Sequence, residues 1–287
     1  MIPQRPEKPR IYPGSITSLV RSIGDINRGL QNALYAHAAY PDGPIIANAS
    51  RKVTPLVQGQ FRAIVIEDDR TLTISVAGTD SIANAIVDAE CLQVSLLKGI
   101  EGAAKILCHY GFWKGMDALW PRLLPFLITN RKCLTLTGHS LGAAIARLLL
   151  VRMYWELDMR PAAIVTFGEP RSLNWYGAMF CQHVIGVHSV RWIDQLDVVT
   201  RVPWVTLWPP HDIRLFRHVD GSYWIVDGKI EVNRPTWKRL PQDWHGYWSE
   251  RHAKGTNREM FPLIEDHSIA RYRERIAEIA GSVLISK

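Results

Sequence analysis

The chain has 287 residues, of which 47% are hydrophobic, and its formal net charge is +7. With 20 Gly, 17 Pro and no internal repeat, the composition excludes collagen-like, solenoid and disordered chains and predicts one globular domain over residues 1–287. The basic residues are scattered rather than clustered, which argues against a nucleic-acid partner. The charged, Pro-rich residues 1–14 are expected to form a flexible arm.

The N-terminal sequence MIPQRPEKPRIYPG has no apolar core of the kind that secretion signals contain. No apolar run reaches the roughly 18 to 20 residues that a membrane span needs. We therefore expect a soluble protein without a transmembrane segment, and the default location is the cytoplasm. The wide spacing of Cys91, Cys108, Cys133 and Cys181 favours reduced thiols and does not support a zinc site.

The first half of the chain contains a helix, a hairpin and an amphipathic stretch. Apolar residues recur at helical spacing from Ser15 to about Ala39, and the turn sequence YPDGP follows. The runs FRAIVIE and TLTISVAG predict two paired strands, because apolar and polar residues alternate in the second run. The amphipathic stretch SIANAIVD then leads to a long segment with helical spacing through Gly115 and Leu124.

Strands and helices alternate in the next part of the chain. The run CLTLT predicts a strand that enters the apolar helix AAIARLLL, and the runs AAIVTFG and VIGVHSVRWI predict two further strands. Residues 203–265 are rich in Pro, Trp and charged residues, so they are predicted to form long loops with a small hairpin around HVDGSYWIVDG. A last helix is predicted to begin near His267. This alternation predicts an α/β fold with a mainly parallel sheet covered by helices on both faces.

Six tryptophans crowd the loop-rich region. They either pack that region internally or form an apolar, lipid-facing rim. They are Trp204, Trp208, Trp224, Trp237, Trp244 and Trp248.

The sequence GHSLG places Ser140 between the predicted strand and the apolar helix. In a G-x-S-x-G motif the serine lies on a sharp turn that exposes its hydroxyl above the sheet. A side chain at either glycine, Gly138 or Gly142, would collide with neighbouring strands. The motif alone is short enough to arise by chance, but its strand and helix context favours Ser140 as a nucleophile over a plain glycine turn.

A nucleophilic serine needs a histidine base and a carboxylate that orients it, and in such sheets the chain order is Ser, Asp or Glu, then His. His188 falls within a predicted strand and suits a core position, whereas His211 and His218 lie in loops with nothing to favour them. His267 lies after all the strands, where a loop enters the last helix, so position favours it. For the carboxylate, Asp194 and Asp197 both follow the same strand, and position does not separate them.

An acyl-transfer site also needs hydrogen-bond donors for the oxyanion. One donor is the backbone N–H of Leu141, directly after the serine. The second is expected from Thr79, which follows the strand TLTISVAG. His139 is expected to point to the other side of the strand from Ser140, because adjacent side chains of a strand alternate.

Several ordered segments between Ala36 and Tyr272 resemble the class 3 lipases, the family of the fungal triacylglycerol lipases. The segments are AHAAY, VAGT, SIANAIVD, HYGF, TGHSLG, TFGEPR, DVVTRVP, FRHVDGSYWIVDG and DHSIARY. The resemblance implies an α/β-hydrolase fold, assigns the catalytic Asp to Asp197 rather than Asp194, and matches His267 and Thr79 to the family's catalytic His and oxyanion residue. It also implies a short lid that includes Ser81, Ile82, Ile86 and Val87.

The chain departs from the family pattern at the lid and beside the oxyanion residue. Ala77 stands where the family usually has Arg, and Ala85 stands where its lid commonly carries Trp. The second change leaves a less apolar lid, which weakens the expectation of activation at oil interfaces.

The sequence therefore predicts a serine carboxylic ester hydrolase for lipid or small esters, with transient contact to lipid interfaces and without a metal or organic cofactor. The alternatives are a phospholipase A-type enzyme acting on membrane lipid and a catalytically inactive scaffold of the same fold that binds a ligand.

Overall fold

A computed structural model gives the arrangement of most of the chain. It describes residues 16–79, 92–97, 99–100, 103–194, 197, 199–202, 216–219, 221–226, 228–232 and 267–285. The five helices of this part are α1 (Ile16–Ala38), α2 (Tyr110–Ile128), α3 (Leu141–Leu157), α4 (Trp175–Phe180) and α5 (Ile269–Ile285). No helix among these residues is long and apolar enough to cross a membrane.

The described residues contain twelve strands in two sheets. The first seven are β1 (Lys52–Gln58), β2 (Phe61–Glu67), β3 (Thr71–Val76), β4 (Gln93–Ser95), β5 (Leu107–His109), β6 (Cys133–His139) and β7 (Ala163–Phe167). The remaining five are β8 (Leu173–Asn174), β9 (His188–Asp194), β10 (Phe216–Arg217), β11 (Ser222–Val226) and β12 (Lys229–Val232).

The central sheet has eight strands in the order β1-β2-β3-β6-β7-β9-β11-β12. The five inner strands β3, β6, β7, β9 and β11 run parallel, and the outer pairs at both ends are antiparallel. Because the inner strands share one direction, their carboxyl ends meet at one edge, where ligand sites of such sheets form. We call this edge the carboxyl edge.

Helices cover both faces of the central sheet. On one face α2 and α3 pack apolar side chains such as Leu123 and Leu149 against Ile74 and Leu136 of the sheet. On the other face α1 and α5 pack against Phe167 and Trp192, with Tyr272 among the fully buried side chains. The predicted α/β architecture with a mainly parallel, doubly covered sheet is confirmed.

The second sheet was not anticipated from the sequence. It has four short antiparallel strands in the order β10-β8-β5-β4. Side chains near it, including Leu96, Ile106 and Leu173, join the core on the α2–α3 face. This sheet lies beside the central one and carries the starts of α2 and α4.

Two predicted boundaries differ from the structure. The run VIGVHSVRWI does not begin as a strand, because Cys181–Ile185 form a π-helical turn and Gly186 has a left-handed backbone with φ 64°. β9 therefore starts only at His188. The predicted hairpin around HVDGSYWIVDG exists as β11 and β12, but its second strand, Lys229–Val232, begins only after that run.

Candidate active site

Ser140 occupies the sharp turn between β6 and α3. Its backbone has φ 58° and ψ −128°, a strained conformation for a residue with a side chain. The N–H of Ser140 donates to the carbonyl of Phe167 at 3.0 Å, and its own carbonyl accepts from the N–H of Ala143 at 3.0 Å. The next strand and the first turn of α3 thus hold the turn from both sides, at the carboxyl edge.

Two glycines make room for this turn. A Cβ at Gly142 would lie 2.1 Å from the Val76 carbonyl oxygen of β3, so α3 approaches the sheet more closely than any other residue type allows. A Cβ at Gly138 would lie 2.6 Å from the carbonyl oxygen of Gly142. The predicted collision with a neighbouring strand therefore applies to Gly142, whereas Gly138 is needed because the turn folds back on itself.

His267 and Asp197 form a buried pair although 70 residues separate them. The Nδ1 of His267 lies 2.8 Å from Oδ2 of Asp197, and both side chains are 0% exposed. The backbone N–H of Val199 donates to the other carboxylate oxygen, Oδ1, at 2.8 Å. The carboxylate is thereby fixed on both oxygens and directed at the histidine ring.

Asp194, which position along the chain alone did not separate from Asp197, has a different environment. It is the last residue of β9, and its side chain pairs with Arg275 of α5. Its backbone N–H donates to the hydroxyl of Tyr272 at 2.9 Å. The structure thus brings Asp197 to His267 and turns Asp194 towards α5.

His267 lies beside the serine turn. Its ring centroid is 4.5 Å from that of His139, the residue directly before Ser140. The second ring nitrogen of His267, Nε2, is buried and has no hydrogen-bond partner among the described residues. This nitrogen is the one that a catalytic histidine uses to exchange a proton with a serine.

Thr79 lies three residues after the end of β3, at the carboxyl edge. A Cβ at the preceding Gly78 would lie 3.0 Å from the Cβ of Ser140, so this loop runs directly beside the serine. Leu141 begins α3, where the positive end of the helix dipole favours a negative charge. The loop that leads to Thr79 therefore runs beside Ser140, and Leu141 directly follows it. The predicted lid residues Ser81, Ile82, Ile86 and Val87 lie outside the described residues.

Two further residues contact the site directly. Tyr272 was not considered from the sequence, and His139 was expected to point to the other side of the strand from Ser140. The hydroxyl of Tyr272 donates to Oδ2 of Asp197 at 2.7 Å. His139 lies 2.5 Å from the carbonyl oxygen of His267 through Nε2 and 2.6 Å from the Tyr40 hydroxyl through Nδ1. The only sequence signal for either was proximity, since His139 adjoins Ser140 and Tyr272 lies five residues after His267.

The other candidate histidines have different surroundings. His188 begins β9, and its Nε2 lies 3.0 Å from the Asp25 carboxylate. Because 28% of its side chain is exposed, His188 is not the core residue that its position in a strand suggested. His218 lies 2.7 Å from the Thr200 carbonyl oxygen through Nε2. His211 lies outside the described residues. Neither described histidine pairs with Asp197.

The strained serine turn, the buried Asp–His pair and the mainly parallel sheet have the arrangement of the α/β-hydrolase fold. The solved structure of Rhizomucor miehei triacylglyceride lipase aligns over 77% of this chain and 90% of that protein, with a TM-score of 0.62 and 20% identity. Lipase II from Rhizopus niveus aligns over 79% of this chain and 92% of that one, with a TM-score of 0.58 and 22% identity. These likenesses confirm the expected α/β-hydrolase fold.

The sequence is similar to those of known lipases. Residues 73–207, which include Ser140 and Asp197, match the family Lipase (class 3). A secreted mono- and diacylglycerol lipase from Malassezia globosa is 33% identical over 112 residues, which are 39% of this chain and 33% of that protein. The Rhizomucor miehei lipase is 26% identical over 176 residues, 58% of this chain and 45% of that protein. The matches therefore span only a third to just under half of these relatives.

One expectation from the sequence is wrong. The cytoplasm was taken as the default location because the N-terminal sequence resembles no secretion signal. The Malassezia globosa relative is a secreted protein, which contradicts that default.

Proposed function

We propose that the protein is a serine carboxylic ester hydrolase that acts on lipid esters. The observation that carries the proposal is the buried His267–Asp197 pair, with Nδ1 and Oδ2 2.8 Å apart, beside a serine in a strained turn. The match of residues 73–207 to class 3 lipases supports the same chemistry.

In the proposed reaction, the hydroxyl of Ser140 attacks the ester carbonyl while Nε2 of His267 takes its proton. Asp197 stabilises the resulting imidazolium, and the N–H groups of Thr79 and Leu141 bind the oxyanion. His267 then protonates the departing alcohol, which leaves an acyl-serine. A water molecule repeats the sequence and releases the acid, so the reaction needs no metal or organic cofactor.

The substrate class follows from the relatives rather than from the site. The Malassezia globosa protein is a mono- and diacylglycerol lipase, and the Rhizomucor miehei protein is a triacylglyceride lipase. Glycerol esters of fatty acids are therefore the first substrates to test. Because the relatives act on different glycerides, a series that runs from mono- to triacylglycerol would identify the preferred one.

The test of the mechanism is Ser140→Ala. We expect the hydrolysis of a soluble short-chain ester to fall at least about a thousandfold, since loss of a triad nucleophile removes most of the catalysis. A fluorophosphonate probe should label the wild type and leave the variant unlabelled. Retention of most of the activity in pure Ser140→Ala protein would overturn the assignment.

The same probe separates this proposal from an inactive scaffold of the same fold, because wild-type protein that fails to react would indicate a dead site. Phospholipid vesicles included in the substrate series test the phospholipase alternative. Release of fatty acid from phospholipid faster than from glycerides would favour that alternative.

A further inference from the structure

Three large aromatic side chains are exposed at the starts of two helices. Trp175 and Tyr176 open α4, and each is 50% exposed. Tyr110 opens α2 and is 39% exposed. Large aromatic groups are costly to leave in water, so exposed groups of this kind that share one part of the surface indicate a contact site.

Two of the three aromatic groups lie close to a lysine, and the third, Trp175, packs edge-on against Tyr176 with ring centroids 5.2 Å apart. The Nζ of Lys105 lies 5.7 Å from the ring centroid of Tyr176, and the Nζ of Lys114 lies 4.9 Å from that of Tyr110. Both lysines are exposed. β5, which spans only Leu107–His109, lies between Lys105 and Tyr110 in the chain. We call Lys105, Tyr110, Lys114, Trp175 and Tyr176 the aromatic–lysine surface.

The second sheet joins the two halves of this surface. The Nδ2 of Asn174, directly before Trp175, donates to the Lys105 carbonyl at 2.9 Å. The Oδ1 of Asn174 accepts from the backbone N–H of Leu107 at 3.1 Å. The start of α4 and the strand that leads to α2 are thus bonded to each other, which brings the two halves of the surface close together.

The aromatic–lysine surface lies towards the carboxyl edge, where Ser140 is found. Gly115, near the start of α2, packs directly against Ile145, near the start of α3. The two helices therefore begin at the same edge, and α3 begins at Ser140. α4 likewise begins soon after the carboxyl end of β7 and leads down towards the start of β9.

We propose that the aromatic–lysine surface is the site by which the protein adsorbs to lipid surfaces that carry anionic head groups. Tyr and Trp side chains suit a lipid–water interface, because their rings are apolar and their O–H and N–H groups remain hydrated. Lysines at the same level are attracted by anionic head groups. Adsorption through this surface turns the carboxyl edge, and with it Ser140, towards the lipid.

The proposal concerns binding and adds to the proposed function, since it names a surface apart from the triad and from the predicted lid. It also differs from the tryptophan-rich region that the sequence suggested as a lipid-facing rim. Of those six tryptophans, Trp224 is buried in β11, and the other five lie outside the described residues.

The test measures partition of Ser140→Ala protein into sedimented vesicles, so that no lipid is hydrolysed during the assay. The vesicles are phosphatidylcholine alone or phosphatidylcholine mixed with phosphatidylglycerol. One added variant is Trp175→Ala/Tyr176→Ala and the other is Lys105→Gln/Lys114→Gln. The controls are Ile128→Ala, at the opposite end of α2 and 56% exposed, and Lys229→Gln, an exposed lysine of β12.

We expect the aromatic variant to bind both kinds of vesicle more weakly. The lysine variant should lose roughly tenfold in partition only on vesicles with phosphatidylglycerol, and salt should reduce the binding of its parent. Both controls should bind as the parent does. With Ser140 restored, both surface variants should hydrolyse a soluble ester at the wild-type rate, which shows that they fold.

Undiminished binding of either surface variant to the anionic vesicles would overturn the proposal. A surface that serves a protein partner gives that same result. Failure of the proposed function is recognised separately, since it would appear as a lack of ester hydrolysis in the wild type while vesicle binding is unaffected.

Discussion

At the scale of single residues, the candidate site depends on groups that do not react. Tyr272 is fully buried and stays protonated, because burial and the charges of Asp197 and Asp194 hold its pKa well above the usual value. Its hydroxyl can therefore donate to Asp197 while it accepts from the backbone N–H of Asp194. It connects α5 to the carboxylate that orients His267.

We predict that Tyr272→Phe lowers kcat for a soluble ester about tenfold, because one hydrogen bond to a charged group contributes about 1.5 kcal/mol. Without the hydroxyl, the Asp197 carboxylate loses one of the bonds that hold it towards His267. The loss should therefore appear in kcat and leave KM nearly unchanged. The matched control is Tyr223→Phe, which removes a hydroxyl bonded to Asp25 instead. An unchanged kcat in Tyr272→Phe, or a change confined to KM, would contradict a positioning role.

His139 is the second such residue. Burial and the neighbouring His267 keep its pKa well below the usual value, so its ring is neutral. In a neutral ring only one nitrogen carries a proton. The Tyr40 hydroxyl then donates to Nδ1, and Nε2–H donates to the carbonyl of His267, which fixes the backbone of the proposed base.

We predict that His139→Phe, which keeps a ring and removes both nitrogens, lowers kcat about tenfold to a hundredfold while KM changes little. The loss arises because the His267 ring is no longer held in the correct position next to Ser140. Tyr40→Phe should have a smaller effect, since it leaves the bond to His267 intact. Steady-state kinetics on a soluble ester would check both variants, and a change confined to KM would count against the prediction.

At the scale of elements, α1 is attached to the sheet by a buried carboxylate. Asp25 is 3% exposed and receives hydrogen bonds from Tyr223 of β11 at 2.6 Å and from Arg28 at 2.9 Å, and it lies 3.0 Å from Nε2 of His188 in β9. Burial raises the pKa of this carboxyl, but the bonds to His188 and Tyr223 outweigh burial and bring the pKa below 3.8. The ionised form therefore holds α1 against two strands.

We predict that Asp25→Asn lowers the free energy of unfolding at neutral pH by about 1–3 kcal/mol, because two charge-assisted bonds are weakened. A carboxyl with a lowered folded-state pKa stabilises the fold above its unfolded-state pKa and loses that effect as the pH falls through the folded value. The difference between wild type and variant should thus shrink below about pH 3.8. Urea unfolding at neutral and acid pH measures it, with Asp42→Asn, an exposed site, as control. A difference that grows in acid would be the opposite of this expectation.

The elements that the sequence predicted well are those whose local pattern agrees with their burial. β6 and β7 are short apolar runs, and the turn at Ser140 is predicted by the flanking Gly138 and Gly142. The two-residue strands β8 and β10 have no pattern of their own, since tertiary contacts alone hold them. The bonds from Tyr272 to Asp197 and from Tyr40 to His139 join residues 75 and 99 positions apart. A local sequence pattern cannot predict contacts between residues so far apart in the chain.

At the scale of the whole molecule, one buried ion pair joins the helical layer to the sheet. Arg147 of α3 donates through Nε and Nη2 to the two carboxylate oxygens of Glu169, each at 3.0 Å, and the exposed fractions are 1% and 2%. Thr166 of β7 donates to the same carboxylate at 2.6 Å. Burial would lower the pKa of Arg147, but the Glu169 carboxylate outweighs burial and raises the pKa, so the guanidinium remains charged.

We predict that Arg147→Leu lowers the free energy of unfolding by about 3–5 kcal/mol, because it leaves the Glu169 carboxylate buried without its cation. The double variant Arg147→Leu/Glu169→Leu should recover much of this loss, since an apolar pair avoids the desolvation of a charge. Arg152→Leu removes a guanidinium of the same helix from a more exposed pair with Asp117 and Glu156, and should cost at most about 1 kcal/mol. Urea unfolding of the four proteins measures these differences. If Arg147→Leu were no less stable than Arg152→Leu, the layers would be held by apolar packing alone, and the ion pair would contribute nothing to the fold that places Ser140 beside His267.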